Sequence, residues 1–504
     1  MISNAGTWVL AFCCFLKYFK GVHGKMVETM KRMMINMKKK YTTPIQKNES
    51  FEGTIEDLTF QGLGVVKVDG YPLFVEDALP GEVGTIKAIS VGKKFGYGKM
   101  MERTVDSPDR VDIVDKVSSQ VGTMPLQHMT YESQLAFKQK QVENAFSRFG
   151  LAEGREVLAT VGSEDIFRYR NKAQIPIGTD NEGQLYSGFY RKNSHEIIPV
   201  EDFKIQLPGI DEAITSIVDI FNQHGLKGYD EAKHSGLIRN IVIRKGYYTD
   251  QMMVIIVING KDLPEENQIV TEIVEKLPEV VSIVLSSNTK QTNVVMSGKP
   301  RVVYGVDKYE DKMFDFTFDI SSRSFFQINT PQAEKLYQLA IDAADLTGEE
   351  TVVDAYCGIG TITLALAKKA KQVYGVEAVS DAVKMAKNNA ALNYIDNVHF
   401  ETGQAETVMG EWVKAGVQPD VVVVDPPRKG LDNTFIESTI EANPEKIVYV
   451  SCNPTTMARD IAKFVEAGYD FEQVQPLDMF PQTWHVETIV LLSHKNPQTS
   501  PPSL

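Results

Sequence analysis

The spacing of hydrophobic and polar positions along this 504-residue chain changes character twice. From Phe51 to about Arg103, short apolar runs are cut by glycine turns in "GTIEDLTFQGLGVVKVDGYPLFVEDALPGEVGTIKAIS", which predicts a small β-barrel. Between about 111 and 325 a helical pattern, "YESQLAFKQKQVENAFSRFG", is mixed with stretches read as alternating strands, "GLIRNIVIRKG" and "QMMVIIVING", and the region reads as an α+β domain. From Thr351 onward, short β-branched runs alternate with helical patterns. "TVVDAYC", "QVYGVEA", "VHFETG", "VVVVDPP", "KIVYVSC", "FEQVQPLDMF" and "HVETIVLLSH" supply seven strands, enough for a doubly wound α/β sheet. Such sheets bind ligands outside the carboxyl ends of their strands. The expected organisation is a disordered or mis-started leader over 1–45, a barrel over 46–105, a central domain over 111–325 and the doubly wound domain over 326–495.

Composition narrows this picture. With 43% apolar and 24% charged residues the chain can bury several cores. Its four cysteines, Cys13, Cys14, Cys357 and Cys452, are too few and too badly spaced for a disulfide framework or a four-thiolate metal site, which suits a reducing cytoplasm. The run Trp8 to Leu16 is about half the length of a membrane-spanning helix, and no membrane association is expected. A net charge of −13 argues against nucleic acid in bulk, but Lys25 to Lys47 is a locally basic stretch, and local charge is what phosphates meet. We expect a monomer.

The informative residues fall at strand ends. "DAYCGIGTITLALA" puts Asp354 at the end of a buried strand, before a turn in which Gly358 and Gly360 allow close backbone approach to a ligand. The next strand ends in Glu377, where a carboxylate can accept hydrogen bonds from both hydroxyls of a ribose. The turn lacks a third glycine and a "DPPR" motif follows the fourth strand, which favours S-adenosylmethionine over a dinucleotide. In "VVVVDPPRKG", Asp425 can hold the edge of a planar base, and Arg428 follows two prolines that stiffen the backbone.

"KIVYVSCNPTTMARD" then places Cys452 at the end of the adjacent strand, facing the same cleft, with a tight polar turn that exposes the thiol. Cys357, beside the cofactor turn, is the competing thiol and reads as packing. In "DMFPQTWHVETIVLL", His485 and Glu487 stand at the entrance of an apolar strand, where a carboxylate is costly without a task. These residues suit methylation of C5 of uracil, a poor nucleophile. A thiolate adding to C6 activates C5, and a base later removes the C5 proton. Cys452 and Glu487 fill these roles.

"SFFQIN", "DAYCGIG", "YGVEA", "DPPRKG", "SCNPTTMARD" and "FPQTWHVE", in this order, closely resemble the bacterial RNA uracil-5-methyltransferase family, in particular its 23S ribosomal RNA branch, over about Phe51 to His494. "GLGVVKVDG" and "LFVEDALPGE" resemble the TRAM module, an OB-like barrel of RNA-modifying enzymes. The resemblance implies a class I Rossmann-like methyltransferase domain, with Gln327, Tyr356, Glu377 and Asp425 at the cofactor and Phe325, Asp425 and Arg428 at the RNA substrate. Many relatives hold an iron–sulfur cluster on four cysteines. Here Val121, Met124 and Phe203 stand at such positions, so neither cluster nor other metal is expected. The alternatives are a transfer-RNA uracil-5-methyltransferase, from which the barrel would separate this chain by resemblance, a non-catalytic RNA-binding protein, and an N-methyltransferase, for which "DPPR" would suffice.

Overall fold

The computed structural model describes residues 43–494. The apolar run at Trp8, all of the basic stretch except Lys47, and the tail from Asn496 lie outside the described residues. The chain forms two compact units, one reaching Thr59 and resuming over Leu63–Ser107, the other comprising Phe60–Gly62 and everything from Pro108.

The first unit is a six-stranded sheet in the order Ser50–Thr54, Val83–Val91, Gly96–Val105, Tyr71–Val75, Gly64–Val68, Asp57–Leu58. Alternation decides its core: Tyr71, Leu73 and Val75 face inward with Val66, Ile86 and Ala88. The hairpin before Tyr71 turns through Asp69 and Gly70, both at positive φ, the two-residue geometry that matches strand twist. Ile45 lies in this core, so the barrel begins inside the segment assigned to the leader.

In the second unit, the central region carries a seven-stranded sheet whose middle strands are Lys172–Thr179, Ile238–Lys245, Met252–Ile258 and Val280–Ser287. Met252–Ile258 does not alternate as its sequence was read, because all seven residues are buried. One face packs under the helices Ile210–Gln223 and Glu266–Lys276, and the other, through Met253, Ile255 and Val257, joins the core of the following domain. A strand covered on both sides has no polar face to show.

The doubly wound domain contains the seven expected strands: β1 (Thr351–Ala355), β2 (Gln372–Glu377), β3 (Val398–Thr402), β4 (Val421–Val424), β5 (Lys446–Ser451), β6 (Gln473–Leu477) and β7 (Glu487–His494). Their order is β3-β2-β1-β4-β5-β7-β6, extended beyond β6 by Glu156–Val157. The first five are parallel, and the order reverses between β1 and β4, where such sheets open a crevice. Strand β7 runs antiparallel to β5, with Ser451 opposite Thr488. An antiparallel strand enters at the edge where its parallel neighbours leave, so the start of β7 lies beside the end of β5, on the same edge as the ends of β1, β2 and β4. Among the described residues no helix is long and apolar enough to cross a membrane.

Candidate active site

That shared edge gathers the predicted residues. Since Ser451 pairs with Thr488, the next position on each strand brings Cys452 beside Glu487. Cys452 is half-buried and opens a turn in which Asn453 caps the helix Pro454–Glu466, its Oδ1 accepting from the Thr455 N–H at 3.1 Å. The Asn453 side-chain amide donates to the Arg428 carbonyl at 3.0 Å, tying the thiol's turn to the loop after β4. Asp460, fully buried on the same helix, accepts from the Leu431 N–H and the Tyr449 hydroxyl, both at 2.8 Å, and anchors that loop's far end. Asp460 was missed in the sequence because its helix reads as merely amphipathic.

The electrostatics follow from crowding acids in a dry site. Burial holds the Glu487 carboxyl well above the usual carboxylate range, Asp425 adding to it and Arg428 opposing. Burial pushes Asp425 up to about 7. The Cys452 thiol is pushed up to about 11 by burial and by Glu487 and Asp425, with Arg428 pulling it down. Arg428 is therefore the cation that favours a thiolate here. His485, with Arg428 Nη2 at 3.5 Å from its Nδ1, is lowered to about 4 by burial, Arg428, Lys138 and Arg170, and stays neutral near pH 7.

The predicted cofactor residues border the same crevice. Glu377 ends β2 half-buried, with Oε1 accepting from the Val379 N–H at 2.8 Å and its other oxygen open to a ligand. Tyr356 follows β1 directly at φ 71°, its N–H held by the Val376 carbonyl, and its ring lies 6.0 Å from Phe435. Gly358 follows at φ 57° with nothing within 4 Å of where a Cβ would stand, an opening beside the strand end. Gln327 is buried, its carbonyl fixed by the Asn171 amide at 2.8 Å. Tyr337, unremarked in the sequence, lies among Gln327, Thr361, Asp425 and Asp354, and burial raises its hydroxyl pKa. Cys357 is buried in the core against Gly375 and Phe400, with burial, Asp354 and Glu377 raising its thiol well above the ordinary value. It is placed for packing and not for attack.

Phe325 stands out at 69% exposure while its neighbour Phe326 is buried. The turn that presents it is clamped by Arg244, a buried residue of Ile238–Lys245 whose guanidinium donates to the carbonyls of Ser321 and Ser324. Val121, Met124 and Phe203 pack in an apolar cluster with Tyr169 and Ile205. Among the described residues no group of three or more His, Cys, Asp or Glu is arranged to hold a metal ion.

Residues 130–495 match the family described as tRNA (Uracil-5-)-methyltransferase, and residues 46–101 match the TRAM domain. A protein of Enterococcus faecalis named as an uncharacterized RNA methyltransferase is 51% identical over 89% of this chain and 98% of its own length. One from Lactiplantibacillus plantarum, named likewise, is 48% identical over 90% of this chain and 100% of its own. Among solved structures, Pyrococcus abyssi tRNA (uracil-54, C5)-methyltransferase in complex with S-adenosyl-L-homocysteine aligns with a TM-score of 0.70 at 28% identity, covering 88% of this chain and 100% of that one.

Proposed function

The chain belongs to the tRNA (uracil-5-)-methyltransferase family, and from that premise we propose that it methylates C5 of uridine in 23S ribosomal RNA, with Cys452 as nucleophile and Glu487 as base. The adjacency of Cys452 and Glu487, forced by the β5–β7 register, is the observation that carries this reading. An N-methyltransferase needs neither residue.

Gln327, Tyr356, Glu377 and Asp425 suit S-adenosylmethionine, since an open glycine turn and a carboxylate with a free oxygen at the end of β2 fit a ribose. When bound, that cofactor supplies an electrophilic methyl group for C5. The protein's own residues make C5 able to accept it. The Cys452 sulfur bonds to C6 of the uracil, and the ring's π electrons shift towards C5 and O4. Arg428 favours the thiolate that this requires. Once C5 carries both methyl and hydrogen, Glu487 takes the C5 proton, the C5–C6 double bond reforms, and the C6–S bond breaks to return the thiolate. Asp425, held near neutrality by burial, can present either a donor or an acceptor to the base edge. Phe325 offers its exposed ring to an unstacked base.

The choice of ribosomal RNA rests on the motif set. A transfer RNA is the second reading, favoured by the Pyrococcus tRNA enzyme, whose match covers more of this chain than the residues after Ser107 supply. The match thus reaches into the barrel, and the barrel does not separate the two substrates. Mapping 5-methyluridine at nucleotide resolution in ribosomal and transfer RNA from a strain lacking the gene tests the choice. Loss from 23S RNA alone supports the proposal, and loss from transfer RNA alone replaces it.

A further inference from the structure

Beside the catalytic cleft a cavity of about 510 Å³ opens between the central sheet and the loop that precedes β7. Arg170, Lys172, Gln206, Arg428, Trp484 and His485 are among the residues lining it, and no carboxylate is. Arg428 serves the thiol, but Arg170 and Lys172 have no such task. Lys172 is pulled down to about 8 by burial and by the neighbouring cations Arg244 and Arg170, with no acid acting on it. Burial likewise lowers Arg170. Arg244, opposite Lys172 across the sheet, is already committed to the Ser321 and Ser324 carbonyls.

Half-buried like charges with no acid beside them are costly, and a fold tolerates them where a ligand supplies the opposite charge. We propose that Arg170 and Lys172 form a second substrate subsite that takes a backbone phosphodiester of the nucleotide next to the target uridine. The location accords with this, because Arg428 borders both the cavity and the thiol, so the occupant of one space adjoins the occupant of the other. Trp484 and His485, with ring centroids 3.9 Å apart, form one wall. The subsite rests on the reading of the substrate as RNA. It adds that a particular pair of cations reads the backbone while the cleft handles the base, the usual division between positioning and chemistry.

The test compares the full-length wild type with the double variant Arg170→Gln/Lys172→Gln on three probes: oligouridylate, its methylphosphonate counterpart with a neutral backbone, and inorganic phosphate. For oligouridylate, the slope of log K against log salt should fall by about 1.4, two contacts at about 0.7 each for a single strand. Affinity at roughly 0.1 M salt should drop about tenfold or more. The neutral-backbone probe should bind both proteins alike. The melting temperature of the double variant, without RNA, should equal or exceed that of the wild type, whereas a structural role for these cations would lower it. An unchanged salt slope, equal losses on the neutral probe, or a fall in melting temperature would each overturn the subsite. Saturable stabilisation by inorganic phosphate that leaves oligouridylate binding undisturbed would assign the cations to a free anion instead. Failure of the wild type to form 5-methyluridine in any RNA, with the salt slope still responding to the two substitutions, would sink the proposed reaction while leaving the subsite standing.

Discussion

Replacing Lys138 by methionine removes one half of an ion pair in which both side chains are wholly inaccessible to water. Lys138 lies on the helix Tyr131–Arg148, and its ammonium meets Asp478 and the Phe480 carbonyl in the segment leading to Glu487. Breaking such a pair typically costs about 3–5 kcal/mol, because the surviving charge stays buried alone. Here Asp478 keeps the Tyr131 hydroxyl and the Phe480 N–H, each at 3.0 Å, so the lower end, about 3 kcal/mol, is expected. Adding Asp478→Asn removes the stranded charge; the amide oxygen still accepts from the Phe480 N–H, and the amide NH2 that replaces Oδ2 can donate to the Tyr131 hydroxyl oxygen. The double variant should therefore recover about 2 kcal/mol over Lys138→Met alone. Urea unfolding followed by tryptophan fluorescence is suited to this, since Trp412 and Trp484 both lie in the second unit. A loss below about 1 kcal/mol for Lys138→Met, or simple addition of the two single losses in the double variant, would refute the reasoning.

Phe325→Ala should weaken binding of uridine-containing RNA by about 1–3 kcal/mol, the worth of one stacked base, while shifting stability by less than about 0.5 kcal/mol, as anisotropy and urea titrations can compare. Asp354, pushed up to about 7 by burial, holds its proton more tightly folded than unfolded, so its contribution to stability is present in acid and lost as pH rises from about 4 through about 7. Asp354→Asn should remove up to about 4 kcal/mol of that decline, seen as a smaller drop in melting temperature between pH 5 and pH 8; an unaltered pH profile would contradict it. Protein purified without oxygen should contain no stoichiometric iron by elemental analysis, since Val121, Met124 and Phe203 pack where thiolates would be needed.

The doubly wound domain was readable because its strands are short, β-branched and punctuated, and because parallel strands deliver their last residues to one edge. Asp425 and Cys452 follow from that alone, and Glu487 from the cost of an acid opening an apolar strand. What escaped the sequence depends on partners far along the chain. Gln134 exchanges hydrogen bonds with Gln482 at 3.0 Å, and Gln141 donates to the Trp484 carbonyl, yet both glutamines read as the polar side of an ordinary helix. Met252–Ile258 was taken for a one-sided strand because nothing local announces that two layers cover it. Arg170 and Lys172 look like solvated charges until their surroundings are assembled.

The central claim, that Cys452 attacks and Glu487 releases, is tested most directly by denaturing electrophoresis of labelled substrate RNA with Glu487→Gln and Cys452→Ala. Glutamine keeps the shape of Glu487 but cannot take the C5 proton, so methylated RNA should remain bonded to Cys452 as a persistent protein–RNA band. Cys452→Ala should give neither band nor methyl transfer. A covalent band in Cys452→Ala would assign the nucleophile elsewhere, and full turnover by Glu487→Gln would take the base away from β7.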